Sequence, residues 1–165
     1  MTIALRPYLS ADAPILAAIY AAAIEDLTAE DYTEEQRYAW IALAEDEQTF
    51  GQRLELTLTL VALVEGEPVG FVSLRDNLLI EHLYVSPNII REGVATALCD
   101  ALEKLAAARG AKKITVDASD TAEPFFRQRD YVPQSRNTRI VDEQWLAYMT
   151  MIKDLNASAA PGTQP

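Results

Sequence analysis

The segment from residue 80 to residue 110 constrains the fold most, because it joins a strand pattern to a long helix pattern through a short loop. Residues Ile80–Val85 alternate at the strand period, and Pro87 cannot extend a ladder of hydrogen bonds. After Gly93 the apolar residues recur at helical spacing down to Gly110, a stop signal. A helix that begins in such a loop presents unpaired N–H groups and the positive end of its dipole. The segment therefore predicts a binding site for a phosphate or pyrophosphate.

Length and charge narrow the class of protein. The 165 residues support one domain over residues 1–155, and the small, polar, Pro- and Gly-bearing residues 156–165 are expected to form a disordered tail. The formal charge of −11 argues against a nucleic-acid binder and against a partner of anionic membranes. It favours an amine-bearing acceptor that could be cationic, although solubility alone also explains an acidic chain.

Cysteine and histidine each occur once, which limits the chemistry available. Cys99 lies beside Leu98 in the helix pattern, where a small buried hydrophobic residue is expected. His82 has no partners at metal-ligand spacing, so no metal site is predicted, and a Ser-His-Asp triad through it stays open. Arg6 and Asp12 interrupt the start of the chain, so no signal peptide is expected there, and we predict a cytoplasmic protein.

The order of patterns predicts an α/β (α+β) fold. Ser10 is expected to cap the first helix, and Thr33 with Gln36 forms a capping box at the second. Strands are predicted at residues 3–8, 56–64, 69–74, 79–85, 113–117, 131–141 and 145–152, and helices at 10–27, 33–43, 94–109 and 121–129, with one further turn at 50–54. This order gives a mixed, mostly antiparallel sheet of about six to seven strands, with helices on both faces and one β-α-β crossover. The site should lie near the carboxyl end of the 79–85 strand.

The same order, with the sequence PNIIREGVATAL after a strand, resembles the GNAT superfamily of acetyl-CoA-dependent N-acyltransferases. The resemblance covers about residues 2–153, and residues 117–131 look like the second conserved region of the family. The pyrophosphate loop of the family reads Gln/Arg-x-x-Gly-x-Gly/Ala. Gly93 and Ala95 match this pattern, whereas Ile90 stands where Gln or Arg is usual.

The resemblance implies acetyl-CoA as cosubstrate and no metal. The main-chain groups of the loop and first helical turn would bind the pyrophosphate; these residues are Arg91, Glu92, Gly93, Val94, Ala95 and Thr96. Gly93 is expected there because a Cβ would stand in the way of the phosphate. Leu83, Tyr84 and Val85 would line the pantetheine arm, in a gap where the strand splays from its parallel neighbour. Ser119 either donates to the coenzyme or caps the next helix.

The resemblance also implies direct attack by the acceptor amine, with no acyl-enzyme. Glu81 is the candidate base, predicted to share a strand face with Leu83 and Val85, and its alternative role is a structural partner for an arginine. The tyrosine that usually protonates the thiolate is replaced by Phe126. Tyr131 is a candidate acid in its place, and the alternatives are Tyr84, a water molecule or departure of the thiol without help.

Aromatic residues from the first helices and the last strand are candidates for the acceptor pocket, namely Tyr32, Trp40 and Trp145. The protein would act as a monomer or a homodimer. Because Phe126 and Ile90 depart from the family pattern, a catalytically silent acyl-CoA-binding or sensor module is the alternative function.

Overall fold

The computed structural model describes residues 1–155, and the predicted tail 156–165 lies outside the described residues. The strands are β1 Ile3–Pro7, β2 Leu58–Val64, β3 Glu67–Arg75, β4 Leu79–Val85, β5 Lys113–Ser119, β6 Val132–Val141 and β7 Gln144–Asp154. The α-helices are α1 Ala13–Leu27, α2 Glu34–Ala42, α3 Glu47–Glu55, α4 Val94–Ala108 and α5 Glu123–Gln128, with short 3-10 turns at Ser10–Asp12 and Pro87–Ile89.

The seven strands form one sheet in the order β1-β2-β3-β4-β5-β7-β6, and every neighbouring pair except β4 and β5 is antiparallel. Helix α4 makes the crossover between the parallel strands β4 and β5. This architecture confirms the predicted mixed, mostly antiparallel sheet with a single crossover. The ladder between β4 and β5 holds only two residue pairs, Leu79 with Thr115 and Ile80 with Val116, before the strands separate.

Helices cover both faces of the sheet because alternate strand residues are apolar on each side. On one face α4 and α5 pack on a cluster that includes Val72, Leu98 and Phe126. On the other face α1 and α3 pack on a cluster that includes Leu16 and Phe71. The splayed strands β4 and β5 therefore open between two packed layers.

Of the two helix caps predicted at Ser10 and Thr33, one is confirmed and one is wrong. The Thr33–Gln36 capping box is confirmed, with Gln36 N–H donating to Thr33 Oγ1 at 3.1 Å and Thr33 N–H donating to Gln36 Oε1 at 2.8 Å. The prediction that Ser10 caps the first helix is wrong, because Ser10 belongs to a 3-10 turn and α1 begins only after Asp12. The Asp12 carboxylate accepts the Leu9 N–H at 2.8 Å instead.

A β-bulge at Glu81 interrupts the pairing of β3 and β4. Ser73 pairs with His82 and Leu74 with Ile80, so Glu81 has no residue opposite it. The extra residue turns the Glu81 carboxylate toward Arg53 in α3. Leu83, by contrast, packs on the face covered by α4. The prediction that Glu81 shares a strand face with Leu83 is therefore wrong, because strict alternation does not survive a bulge.

Candidate active site

A cleft of about 480 Å³ opens where β4 and β5 separate, and it reaches both layers of helices. Its floor consists of β4 residues from Leu79 to Val85 and of β5 residues from Val116 to Ser119. Beyond Ile80 the β4 edge that faces β5 has no strand partner. These main-chain groups can bond a ligand that lies in the gap like an added strand. The predicted coenzyme residues Leu83, Tyr84 and Val85 all line this cleft.

The loop before α4 has the backbone geometry of an anion-binding site. Arg91 has φ +64° and Gly93 has φ +87°, so two left-handed residues precede the helix. Such a loop turns successive N–H groups toward one point, and the first turn of α4 adds its unpaired donors. Arg91, Glu92, Gly93 and Thr96 are exposed, Ala95 is half-buried and Val94 is buried. Five of the six predicted loop residues are therefore accessible, and Val94 anchors the helix.

The backbone conformation of the protein itself requires glycine at position 93. A Cβ built at Gly93 would have no protein atom of the described residues within 4 Å, so crowding within the protein is not the cause. The left-handed conformation is the cause, because side chains disfavour φ +87°. The site is thus shaped by backbone conformation.

Ser119 stands where β5 ends and lines the cleft. Its Oγ accepts the Ala122 N–H at 3.1 Å, which stabilises the turn into α5. A hydroxyl that accepts one bond can still donate its hydrogen to a ligand. Both roles weighed for Ser119 are therefore compatible with this geometry.

Glu81 is held by two arginines at the end of the cleft where β4 begins. Its Oε1 accepts from Arg53 Nη2 at 3.0 Å and from Arg75 Nη1 at 3.2 Å, and its side chain is 13% exposed. This contact supports the alternative that Glu81 is a structural partner for arginine. It also fixes the carboxylate beside the gap, where a base would need to stand.

His82 projects into a group of rings that also contains Tyr20, Phe50 and Tyr84, with centroid separations of 5.7 to 6.3 Å. Burial lowers the pKa of His82 to about 4, so the imidazole is neutral at pH 7. Its Nδ1 is 2.7 Å from Ser73 Oγ. Ser73 is fully buried, which removes it as the nucleophile of a triad.

Cys99 offers no nucleophile either. It is fully buried in α4, and burial raises the pKa of its thiol to about 12. Neither Ser73 nor Cys99 is therefore accessible as a nucleophile.

One side of the cleft is formed by residues 28–44, which contribute two aromatic side chains. Tyr32 and Trp40 line it with their rings 5.3 Å apart, and Tyr148 lines its far wall. The Tyr32 hydroxyl donates to the Ala147 carbonyl at 2.7 Å and accepts the Asp120 N–H at 2.9 Å. Burial raises the pKa of Tyr32 to about 12. The third predicted pocket residue, Trp145, is 60% exposed and lies outside the cleft lining.

Tyr131 has no geometric support as the acid. It is buried outside the cleft lining, and its hydroxyl donates to Glu103 Oε2 at 2.8 Å. Burial, assisted by the Glu103 carboxylate, raises the pKa of this phenol. Phe126 does line the cleft and packs its ring 5.1 Å from that of Tyr131. A phenyl ring without a transferable proton therefore lines the cleft at position 126.

The cleft is also lined by three arginines that the sequence did not predict as site residues. They come from three different elements: Arg53 from α3, Arg75 from β3 and Arg139 from β6. The Arg139 guanidinium lies 4.3 Å from the centroid of the Tyr148 ring and 3.7 Å from Asp117. No motif links residues so far apart in sequence, so only the assembled sheet reveals them.

Two searches of the described residues were negative. Within residues 1–155 no three His, Cys, Asp or Glu side chains come together as metal ligands. Over the same part of the chain, no helix has the length and apolar character needed to cross a bilayer.

Comparisons with known proteins agree with this geometry. A family model described as an acetyltransferase (GNAT) domain matches residues 28–155. The uncharacterized N-acetyltransferase YafP of Escherichia coli (strain K12) is 36% identical over 126 residues, which cover 76% of this chain and 79% of YafP. A GCN5-related N-acetyltransferase structure from Rhodopseudomonas palustris is 53% identical with a TM-score of 0.91, covering 93% of this chain and 96% of that one.

A more distant structure shares the fold alone. The PaiA N-acetyltransferase of Thermoplasma acidophilum, solved in complex with coenzyme A, is 18% identical with a TM-score of 0.74, covering 93% of this chain and 99% of that one. The chain described here belongs to the GNAT family of acetyltransferases. Members of this family use acetyl-CoA as the acetyl donor.

Proposed function

We propose that this protein transfers the acetyl group of acetyl-CoA to the primary amine of a small molecule by direct attack. The observation that carries the proposal is the cleft at the β4–β5 gap, which joins a strand-like groove to an aromatic pocket. The coenzyme would enter from the loop before α4, and the acceptor from the side of Tyr32 and Trp40. A partly enclosed space of about 480 Å³ suits a small acceptor better than a protein surface.

Residues can be named for coenzyme binding and for proton removal in the proposed reaction, but none for protonation of the thiolate. The loop at Arg91–Thr96 would bind the pyrophosphate, and the unpaired β4 edge at Leu83–Val85 would bond the pantetheine amides. Glu81 would take the proton of the attacking amine, directly or through a water molecule. The bound coenzyme supplies the thioester, and its thiolate leaves past Phe126, which has no proton to give.

A silent acyl-CoA-binding module is the second candidate function. Phe126 favours it, because the residue replaces the usual acid and lies in the cleft where that acid would act. The module would bind the same coenzyme in the same gap without turnover.

An acceptor screen separates the two functions. The full chain is incubated with acetyl-CoA and a panel of amines, and free thiol is measured against a reaction without amine. Amine-dependent thiol release with a mass increase of one acetyl group on the acceptor supports the enzyme. Coenzyme binding in a thermal-shift assay, with no turnover across the panel, supports the module. Absence of both contradicts the coenzyme site itself.

A further inference from the structure

We propose that the acceptor carries an anionic group, a carboxylate on an apolar or aromatic amine, and that Arg53 and Arg75 bind it. This inference rests on the proposed function, because it names the substrate class of the same site. It differs from the expectation drawn from net charge, which pointed only to a cationic amine.

The charge of the cleft is opposite to that of the chain. The whole chain carries −11, yet the cleft lining contains three arginines and two carboxylates, Glu81 and Asp117. An excess of one positive charge therefore lines a cleft in an acidic protein. A concave wall with a positive excess attracts and orients an anionic group.

The excess charge is located at one end of β4. Both Arg53 and Arg75 contact the same oxygen, Oε1 of Glu81, and Arg75 Nε also lies 3.9 Å from Asp76 Oδ2, whose side chain is 85% exposed and outside the cleft lining. Within the cleft lining, a single carboxylate therefore contacts two guanidinium groups. The arginine side chains remain 58% and 47% exposed, whereas Glu81 is 13% exposed. Each guanidinium has five N–H donors, and the hydrogen bonds to Glu81 use one nitrogen of each group. Two partly exposed guanidinium groups can thus bind a second carboxylate.

The coenzyme phosphates do not explain this pair. The pyrophosphate loop follows the far end of β4, after Val85, whereas Arg75 pairs at the opposite end, across from Leu79. The four residue-to-residue steps of β4 from Glu81 to Val85 span on the order of 13 Å. The arginines therefore face the acceptor and lie far from the phosphate end of the coenzyme.

The distance between the two arginines and the reacting amine suits an amino acid as the acceptor. In the proposed reaction the amine lies within reach of Glu81, directly or through one water molecule, and Glu81 Oε1 is only 3.0 Å from Arg53 Nη2 and 3.2 Å from Arg75 Nη1. A carboxylate one or two carbon atoms from the amine can therefore reach Arg53 or Arg75. The rest of the lining is mainly apolar and includes the rings of Tyr20 and Phe50, so the side chain of the acceptor should be apolar or aromatic.

The test compares acceptors that differ only in the anionic group. L-Phenylalanine and 2-phenylethylamine share a phenyl ring and a primary amine, and leucine with 3-methylbutylamine repeats the pair without a ring. A phosphonate analogue of phenylalanine distinguishes carboxylate recognition from general anion recognition. Acetylation is measured as kcat/KM with the wild-type chain, with Arg53→Ala, with Arg75→Ala and with both changes together. Arg109→Ala, an exposed arginine at the end of α4, is the matched control.

We expect the wild type to prefer the amino acid over the plain amine by at least tenfold. Each single arginine change should reduce this preference by about tenfold to a hundredfold, mainly through KM, as expected for a hydrogen bond to a charged group. The double variant should show a preference near one, and Arg109→Ala should match the wild type. Because the preference is a ratio, a general loss of activity or stability cancels from it.

Two outcomes would overturn the inference without affecting the proposed function. One is equal kcat/KM for amine and amino acid in the wild type, and the other is a preference that survives in the double variant. Amine-dependent turnover in these cases still supports an acetyltransferase. If no acceptor in either series reacts while acetyl-CoA binds, the proposed function and this inference fail together.

Discussion

At the residue scale, Glu81 gains its position from the β-bulge. The bulge leaves Glu81 without a cross-strand partner and aims its carboxylate at Arg53 and Arg75. Two functions meet in this carboxylate, since it is the proposed base and also balances the arginines. The two functions make different predictions for its removal.

Glu81→Gln should lower kcat by about 10²–10⁴ with every acceptor if the carboxylate takes the proton, because general base catalysis is typically worth that much. Affinity for acetyl-CoA should change little. Steady-state kinetics with and without saturating acceptor checks both statements. Glu67→Gln is the control, because Glu67 is an exposed carboxylate at the start of β3. A kcat within a few-fold of the wild type would leave Glu81 with the structural role alone.

Phe126→Tyr tests whether the missing acid limits the rate. Phe126 is 2% exposed and packs against Phe125 and Tyr131, so an added hydroxyl has no evident partner. We expect an unchanged kcat and a loss of about 1–3 kcal/mol in the free energy of unfolding. Phe125→Tyr, whose ring is half-buried, should cost less. A tenfold gain in kcat would show that thiolate departure limits this enzyme.

His82 predicts how stability depends on pH. Its folded pKa of about 4 lies below the unfolded value of about 6.5. As the pH falls from 6.5 to 4, the unfolded chain therefore binds a proton that the folded chain does not. The free energy of unfolding should fall by about 2–3 kcal/mol across this window and be fully regained above pH 6.5.

The contribution of His82 is isolated by a difference between two chains. Urea unfolding of the wild type and of His82→Gln is compared at pH 4.5 and pH 7, so that carboxylates common to both cancel. Glutamine keeps a polar group near Ser73 Oγ. Equal pH dependence in the two chains would contradict a buried neutral imidazole.

At the scale of elements, helix α4 lies between two glycines of the same conformation. Gly93 has φ +87° and Gly110 has φ +92°, and a Cβ at either would have no atom within 4 Å. Gly93→Asp and Gly110→Asp thus introduce the same strain and the same charge at opposite ends of one helix. Only the first change lies in the proposed pyrophosphate site.

Acetyl-CoA should raise the melting temperature of the wild type in a concentration-dependent manner. Gly110→Asp should keep this shift, whereas Gly93→Asp should abolish it, because the new carboxylate repels the phosphates. Both variants should lose stability, on the order of 1 kcal/mol, from the left-handed conformation, and Gly110→Asp should lose more because its carboxylate lies at the negative end of the helix dipole. A shift that persists in Gly93→Asp would contradict the assignment of the loop.

Elements set by local sequence were predictable, and sites assembled from distant segments were not. Periodicity and turn chemistry act within a few residues. They predict the 94–109 helix, the capping box at Thr33 and the order of the strands along the chain. The bulge at Glu81 depends on the register between β3 and β4, and alternation alone gives the wrong face. The position of the Tyr131 side chain depends on tertiary packing, because its ring packs in the hydrophobic cluster on the α4 face of the sheet. Arg139 reaches the cleft only after β6 has joined the sheet through β7.

At the scale of the whole molecule, the sheet consists of two groups of strands that are joined by few paired residues. Strands β1–β4 and strands β5–β7 meet only at the two residue pairs Leu79–Thr115 and Ile80–Val116. Saturating acetyl-CoA should slow amide hydrogen exchange at those N–H groups of residues 82–85 that face the gap. Exchange in β1, at the remote edge of the sheet, should change little. Equal protection with and without acetyl-CoA, under conditions where it binds, would contradict the strand-like pose.

The short ladder between β4 and β5 also bears on how each catalytic cycle ends. A coenzyme that pairs with the β4 edge leaves as the free thiol only after its amide hydrogen bonds to that edge break. This edge lies in the interior of the sheet, so the step resembles the separation of one strand from a sheet. Loss of the acetyl group does not weaken those amide bonds. Departure of the spent carrier would then be slower than acetyl transfer, and the first turnover would appear as a rapid burst followed by a slower steady rate.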